Sequence, residues 1–177
     1  MWVTHERGGD NTVATTQSGM ASETATTTDT VLETTPGNWR VGVISGLVGG
    51  AVFGILLSVQ MTNVIEVAIP SMYGLAPPPN GTIGWVVHMS HAAVLGVVFA
   101  GIVGVLGFDG ASAWKHVAAG LVFGVVLWVV LAALIMPVWL DAVGSPADPP
   151  LPNFNQTSLV GHAVYGLGLG IAYAALE

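Results

Sequence analysis

Beyond residue 38 the chain alternates long apolar runs with short polar breaks. Four runs, at about 41–68, 84–107, 115–138 and 158–176, consist mostly of aliphatic and small side chains. A helix needs roughly 20 such residues to cross a hydrocarbon layer about 30 Å thick. The pattern therefore predicts four membrane spans, the fourth being the shortest. Residues 1–38 show no apolar period and are rich in Thr, Ser and Gly with scattered acids. Such a segment buries too little surface to offset its ordering entropy and reads as a disordered acidic tail. The predicted fold is all-α: an integral membrane four-helix bundle over 39–177, behind that tail.

The runs also resemble one another in pairs. Gly50-Ala51-Val52-Phe53-Gly54-Ile55-Leu56-Leu57 returns as Gly120-Leu121-Val122-Phe123-Gly124-Val125-Val126-Leu127. His88, Gly96 and Phe99 return at the same spacing as His162, Gly170 and Tyr173, and Ile69-Pro70 and Met136-Pro137 close the first helix of each copy. The bundle then consists of two tandem helical hairpins, an internal parallel repeat. Each copy has an even number of spans, so both share one orientation about an axis along the membrane normal. This places His88 and His162 at similar depth, a turn or so below the outer surface.

Small residues run along every span at four-residue steps: Gly42, Gly46, Gly50 and Gly54; Ala92, Gly96, Ala100 and Gly104; Gly120 and Gly124; Gly166, Gly170 and Ala174. In lipid, helices gain little from burying apolar surface and associate through close packing at such positions. His88 and His162 each begin a stripe one step early, so both are expected to face neighbouring helices.

Composition fits this picture. Only 7% of residues are charged, against about a quarter in soluble domains. A net charge of −7 excludes nucleic acid as a natural partner. Cysteine is absent, which removes disulfides, thiolate metal sites and cysteine nucleophiles. No basic n-region opens the chain, so the first span is expected to act as its own insertion signal. The three basic residues, Arg7, Arg40 and Lys115, all fall on one side of a four-span layout. The positive-inside rule makes that side cytoplasmic, with both termini inside and the proline-rich loops at about 70–83 and 139–157 outside. Trp39 and Trp114 are expected at the inner interface, and Tyr73, Trp85 and Trp139 at the outer one. The implied partners are the bilayer and either a second copy or a larger membrane complex. Asn155-Gln156-Thr157 matches the N-glycosylation sequon.

Ionisable groups inside a span mark candidate sites. Glu66, with Gln60 and Asn63, lies near the outer end of span one. His88 and His91 begin span two, His162 and Tyr165 span four, and Met136 falls in the outer half of span three. His88, His91, His162, Glu66 and Met136 are the candidate ligands of a transition metal, thioethers favouring Cu(I) and His with Glu favouring zinc or iron. Alternatively, His88 and His162 hold a haem b axially. A third reading is a small proton-coupled carrier in which Glu66 and His88 relay protons. Against these stands a plainer one, in which the histidines hydrogen-bond neighbouring helices and the methionines fill space. His5 and His116 are expected to be solvated or interfacial. No Walker A, GxSxG or HExxH motif is present, and no ATP-binding domain fits. The favoured reading is a non-enzymatic membrane protein, an accessory subunit or a small binding protein.

The stretches Gly84-Trp85-Val86-Val87-His88, Ile135-Met136-Pro137-Val138-Trp139-Leu140 and Ser158-Leu159-Val160-Gly161-His162-Ala163-Val164-Tyr165-Gly166 resemble a group of small four-span membrane proteins common in haloarchaea. The resemblance runs from about residue 41 onward. It implies a helical membrane fold and a salt-loving cell, and it supplies no catalytic residues. Some relatives carry the label "histidine kinase", which nothing in this chain supports: there is no dimerisation–phosphoacceptor helix pair and no ATPase domain.

Overall fold

The computed structural model describes residues 37–177, so the tail expected over 1–38 lies almost wholly outside the described residues. Among the described residues four helices are long and apolar enough to cross a membrane: α1 (Trp39–Gln60), α2 (Gly81–Val105), α3 (Ala113–Ala142) and α4 (Gln156–Leu176). No strand occurs among the described residues. Asn38 belongs to α1 rather than to the tail, because its side chain accepts from the backbone N–H groups of Arg40 and Val41. Asn80 and Asn155 cap α2 and α4 in the same way, through Ile83 and Ser158. Each Asn oxygen satisfies a donor that the first helical turn leaves open.

α1 packs against α2, α3 against α4, and α1 against α4, whereas α2 and α3 scarcely meet. The helices therefore stand in the order α2, α1, α4, α3. Their outward faces carry Ile44, Val48, Val52, Ile55 and Val59 on α1, and Val122, Val126, Val130 and Leu134 on α3. A water-soluble bundle would bury such residues, and here hydrocarbon is their natural surrounding.

Between the helices of each hairpin, backbone meets backbone. A Cβ on Gly46 would stand 2.3 Å from the Ala92 carbonyl oxygen, and one on Gly120 would stand 2.4 Å from that of Gly166. Likewise Gly42 meets Gly96, and Gly170 meets the His116 carbonyl. These pairs recur 74 positions apart on both helices, as do the α1 and α3 caps, Asn38 and Ser112. The match of Gly50–Leu57 with Gly120–Leu127 runs at 70, one helical turn away. A stripe of glycines at four-residue steps matches itself one step along, so the motif leaves the register open and packing settles it.

Pro70 and Pro137 do not simply close their helices. Each follows a π-helical segment, Val64–Ala68 and Trp128–Ile135, and helix resumes over Ile69–Ser71 and Met136–Ala142. α3 thus runs past the expected end near 138. A helical proline lacks the N–H that would reach the carbonyl four residues back. Those carbonyls are Glu66 and Ala133, and each is taken by the returning loop: Asn80 N–H donates to Glu66 O (2.8 Å) and Asn153 N–H to Ala133 O (2.9 Å). Within a membrane such freed groups must find a protein partner. The two loops therefore fold back along their own helices and start α2 and α4 deep in the bundle. Ser71 and Ser145 hydroxyls join the loops at 2.6 Å, and the Trp139 indole N–H donates to Met72 O.

Candidate functional site

The open side between α2 and α3 is a cavity of about 590 Å³ whose floor is α1 and α4. Leu57, Met61, Leu95, Leu127, Leu131 and Met136 make most of its wall, and His88, His91, His162, Ser158, Tyr73 and Tyr165 supply its polar atoms. Val94 and Ile135, which also line it, are 62% and 51% exposed. They mark a mouth that opens sideways, toward lipid.

His88 is buried, and its Nε2–H donates to the Gly50 carbonyl at 2.9 Å. His162 uses its other nitrogen: Nδ1–H donates to the Ser158 carbonyl at 2.8 Å. A carbonyl only accepts, so these bonds fix the tautomers and leave lone pairs on His88 Nδ1 and His162 Nε2. Phe53, on the helix between them, contacts both imidazoles edge-on, with ring centroids 5.5 Å and 4.9 Å away. Trp85 closes the other side of His88 and bonds the Ser58 hydroxyl.

Of the candidate ligands, the structure brings His88, His91, His162 and Met136 to this one cavity. Glu66 stands apart: its carboxylate lies against the start of α2, where a Cβ on Gly81 would be 3.5 Å from it. It makes no pair with His88. His91 bonds the Tyr73 hydroxyl at 2.6 Å. Among the described residues no three of His, Asp and Glu gather as a metal cluster. His88 reaches the middle of its neighbouring helix. Gly50, the partner of His88, lies eleven residues into α1, or about 17 Å at 1.5 Å per residue.

His116 is not solvated. It is 1% exposed, donates from Nε2 to Phe108 O (3.0 Å), and pairs with the Glu177 carboxylate (2.8 Å). Its ring lies beside Tyr173. A histidine one residue beyond the only lysine reads as part of a polar loop, and the acid that holds it is 61 positions away, so no local signal reveals the contact. Methionines 61 and 72 also reach the cavity wall, alongside Met136. Asn155 of the sequon is committed to its cap, and its carbonyl accepts from the Trp128 indole (3.3 Å), which ties that residue to α3.

Four apolar helices around one laterally open cavity define an all-α, multi-pass membrane protein. Residues 37–177 match a family of unknown function (DUF6789), and the chain belongs to that family. Neither the curated proteins nor the solved structures contain a match to it.

Proposed function

We propose that this protein is a membrane-embedded binding protein that takes a small, lipid-soluble molecule from the bilayer into the cavity between α2 and α3. The observation that carries this reading is the cavity itself: about 590 Å³, aliphatic over most of its wall, with a few convergent polar groups and a mouth toward lipid. Ligand sites typically have this size and chemistry. The test is organic extraction of the protein, purified in mild detergent from its native membrane, followed by mass spectrometry. A stoichiometric compound distinct from bulk lipid is expected. Bulk lipid alone, with no tight binder among apolar probes, would remove the proposal.

A second reading is a Cu(I) site. Metal-ligating histidines commonly donate their second N–H to a backbone carbonyl, as His88 and His162 do, and three thioethers share the wall. Elemental analysis decides it: copper near one per chain, lost in both His88→Leu and His162→Leu, supports the site, and copper-free folded protein sinks it. A haem held by both imidazoles would have to displace Phe53.

The end bearing Arg40 and Lys115 is assigned to the cytoplasm by the positive-inside rule. Because the chain has no cysteine, a single one at Ser112 or at Gly74 reports its side directly. Impermeant maleimide on whole cells should label Gly74→Cys and spare Ser112→Cys; the reverse pattern overturns the orientation. We also read the two hairpins as copies of one unit, supported by the 74-residue recurrence and the paired proline–loop bonds. Family sequences whose halves share no more than chance would remove that support.

A further inference from the structure

Deepening the binding reading, on which it rests, we infer that the molecule held in the α2–α3 cavity is a quinol: a neutral dihydroxy-aromatic head on an apolar tail. The argument starts from what the wall has left to offer. The donors that fix its shape are spent on backbone carbonyls: His88 on Gly50, His162 on Ser158, Tyr165 on Ala92, and Trp139 on Met72. What remains beside Phe53 are two fixed imidazole lone pairs, His88 Nδ1 and His162 Nε2, on rings that line the cavity and with no hydrogen-bond donor among the described residues. An occupant that fills the cavity takes water away from both acceptors, and an acceptor buried without a donor is costly, so a well-matched occupant brings O–H or N–H groups, and two of them.

The remaining chemistry narrows the class. No Lys or Arg lines the cavity, so nothing there balances a fatty-acid carboxylate or a phosphate head. A single alcohol would satisfy one imidazole and leave the other open. Phe53, Tyr73, Trp139 and Tyr165 give the wall aromatic surface for a flat ring. Two other groups keep a proton to give: the Ser158 hydroxyl, and the Tyr73–His91 pair whichever way its bond runs. Both can serve the oxygens of a quinol. The aliphatic residues toward Val94 and Ile135 then receive the tail, which leaves through the mouth into lipid.

The oxidised partner of such a molecule has the same shape but only acceptors, and would face the two lone pairs with carbonyl oxygens. Its carbonyls can take the Ser158 and Tyr73–His91 protons but leave both imidazole lone pairs without a donor, so the wall favours the reduced form. The test uses the full chain in detergent, under anaerobic conditions, titrated with decyl-benzoquinol and with decyl-benzoquinone, binding being followed by calorimetry. The quinol is expected to bind about tenfold more tightly or better. His88→Leu and His162→Leu should each narrow that preference, with thermal stability recorded to show that each variant is folded. Equal affinity in the wild-type protein, tighter binding of the quinone, or a preference that neither substitution narrows overturns the quinol assignment. If neither probe binds while native extraction yields another stoichiometric compound, the ligand class is wrong and the binding reading stands. If extraction too yields nothing, both fall.

Discussion

Gly96→Leu is expected to prevent the first hairpin from closing, and Gly101→Leu, five residues along the same helix, is expected to do nothing measurable. A Cβ on Gly96 would stand 2.1 Å from the Gly42 carbonyl oxygen and 2.9 Å from the Gly46 Cα, whereas one on Gly101 meets nothing within 4 Å. Both obstacles at Gly96 are backbone, so no rotamer change relieves them, and α1 and α2 must move apart by more than an ångström along their closest contact. Over-packing a well-filled core already costs about 1–3 kcal/mol. This clash also forfeits the dispersion contacts by which helices associate in lipid, so the loss is on the order of 3 kcal/mol or more. The two variants have the same composition and hydropathy, which cancels any effect on insertion. Thermal unfolding in detergent, followed by size-exclusion chromatography, compares them. Equal stability of the two would mean that α1 and α2 do not cross at Gly96.

That crossing was partly legible in the sequence and partly not. Small residues at four-residue steps announce which faces meet, because lipid gives the chain no other strong reason to place them there. They do not announce which step meets which, and the structure sets Gly120 in the place of Gly46, not in that of Gly50. The span count and the inward-facing histidines follow from patterns within about twenty residues, and the hairpin layout from a motif that returns some 70 positions on. The features that were missed depend on the whole chain. A proline shows that a carbonyl will be freed, but which loop amide takes it, Asn80 for Glu66 and Asn153 for Ala133, is a long-range fact. So is the pairing of His116 with Glu177. The cavity is the clearest case: it arises because α2 and α3, each occupied with its own hairpin partner, leave a gap that no single segment encodes. Glu66 illustrates the opposite error. Its place near the outer end of span one suggested a site shared with His88, yet the structure sets it against the start of α2 instead.

Val94→Trp is expected to abolish binding in the cavity while leaving the fold intact, and Val98→Trp to leave both unchanged. Val94 lines the cavity and is 62% exposed, so its side chain stands at the mouth, free of packing partners that an indole would disturb. Val98 lies one turn further along the same exposed face, 46% exposed and outside the cavity. An indole at the mouth occupies the space through which a tail must pass, and a ligand forced to give up a few buried methylenes loses about 0.8 kcal/mol for each. Three or four methylenes correspond to roughly a hundredfold in affinity. Because an outward-facing tryptophan on a transmembrane helix meets only acyl chains, the two variants should melt together. The measurement is the amount of stoichiometric compound recovered on extraction, with affinity for the added probe as its complement. Loss in Val94→Trp alone would place the entrance between α2 and α3, and with it the direction from which the occupant comes: sideways from the bilayer, past helices that scarcely meet. Equal retention in both variants would move the binding site elsewhere in the bundle and leave the imidazoles of His88 and His162 as packing groups, held by Gly50 and Ser158 and serving only the helices that carry them.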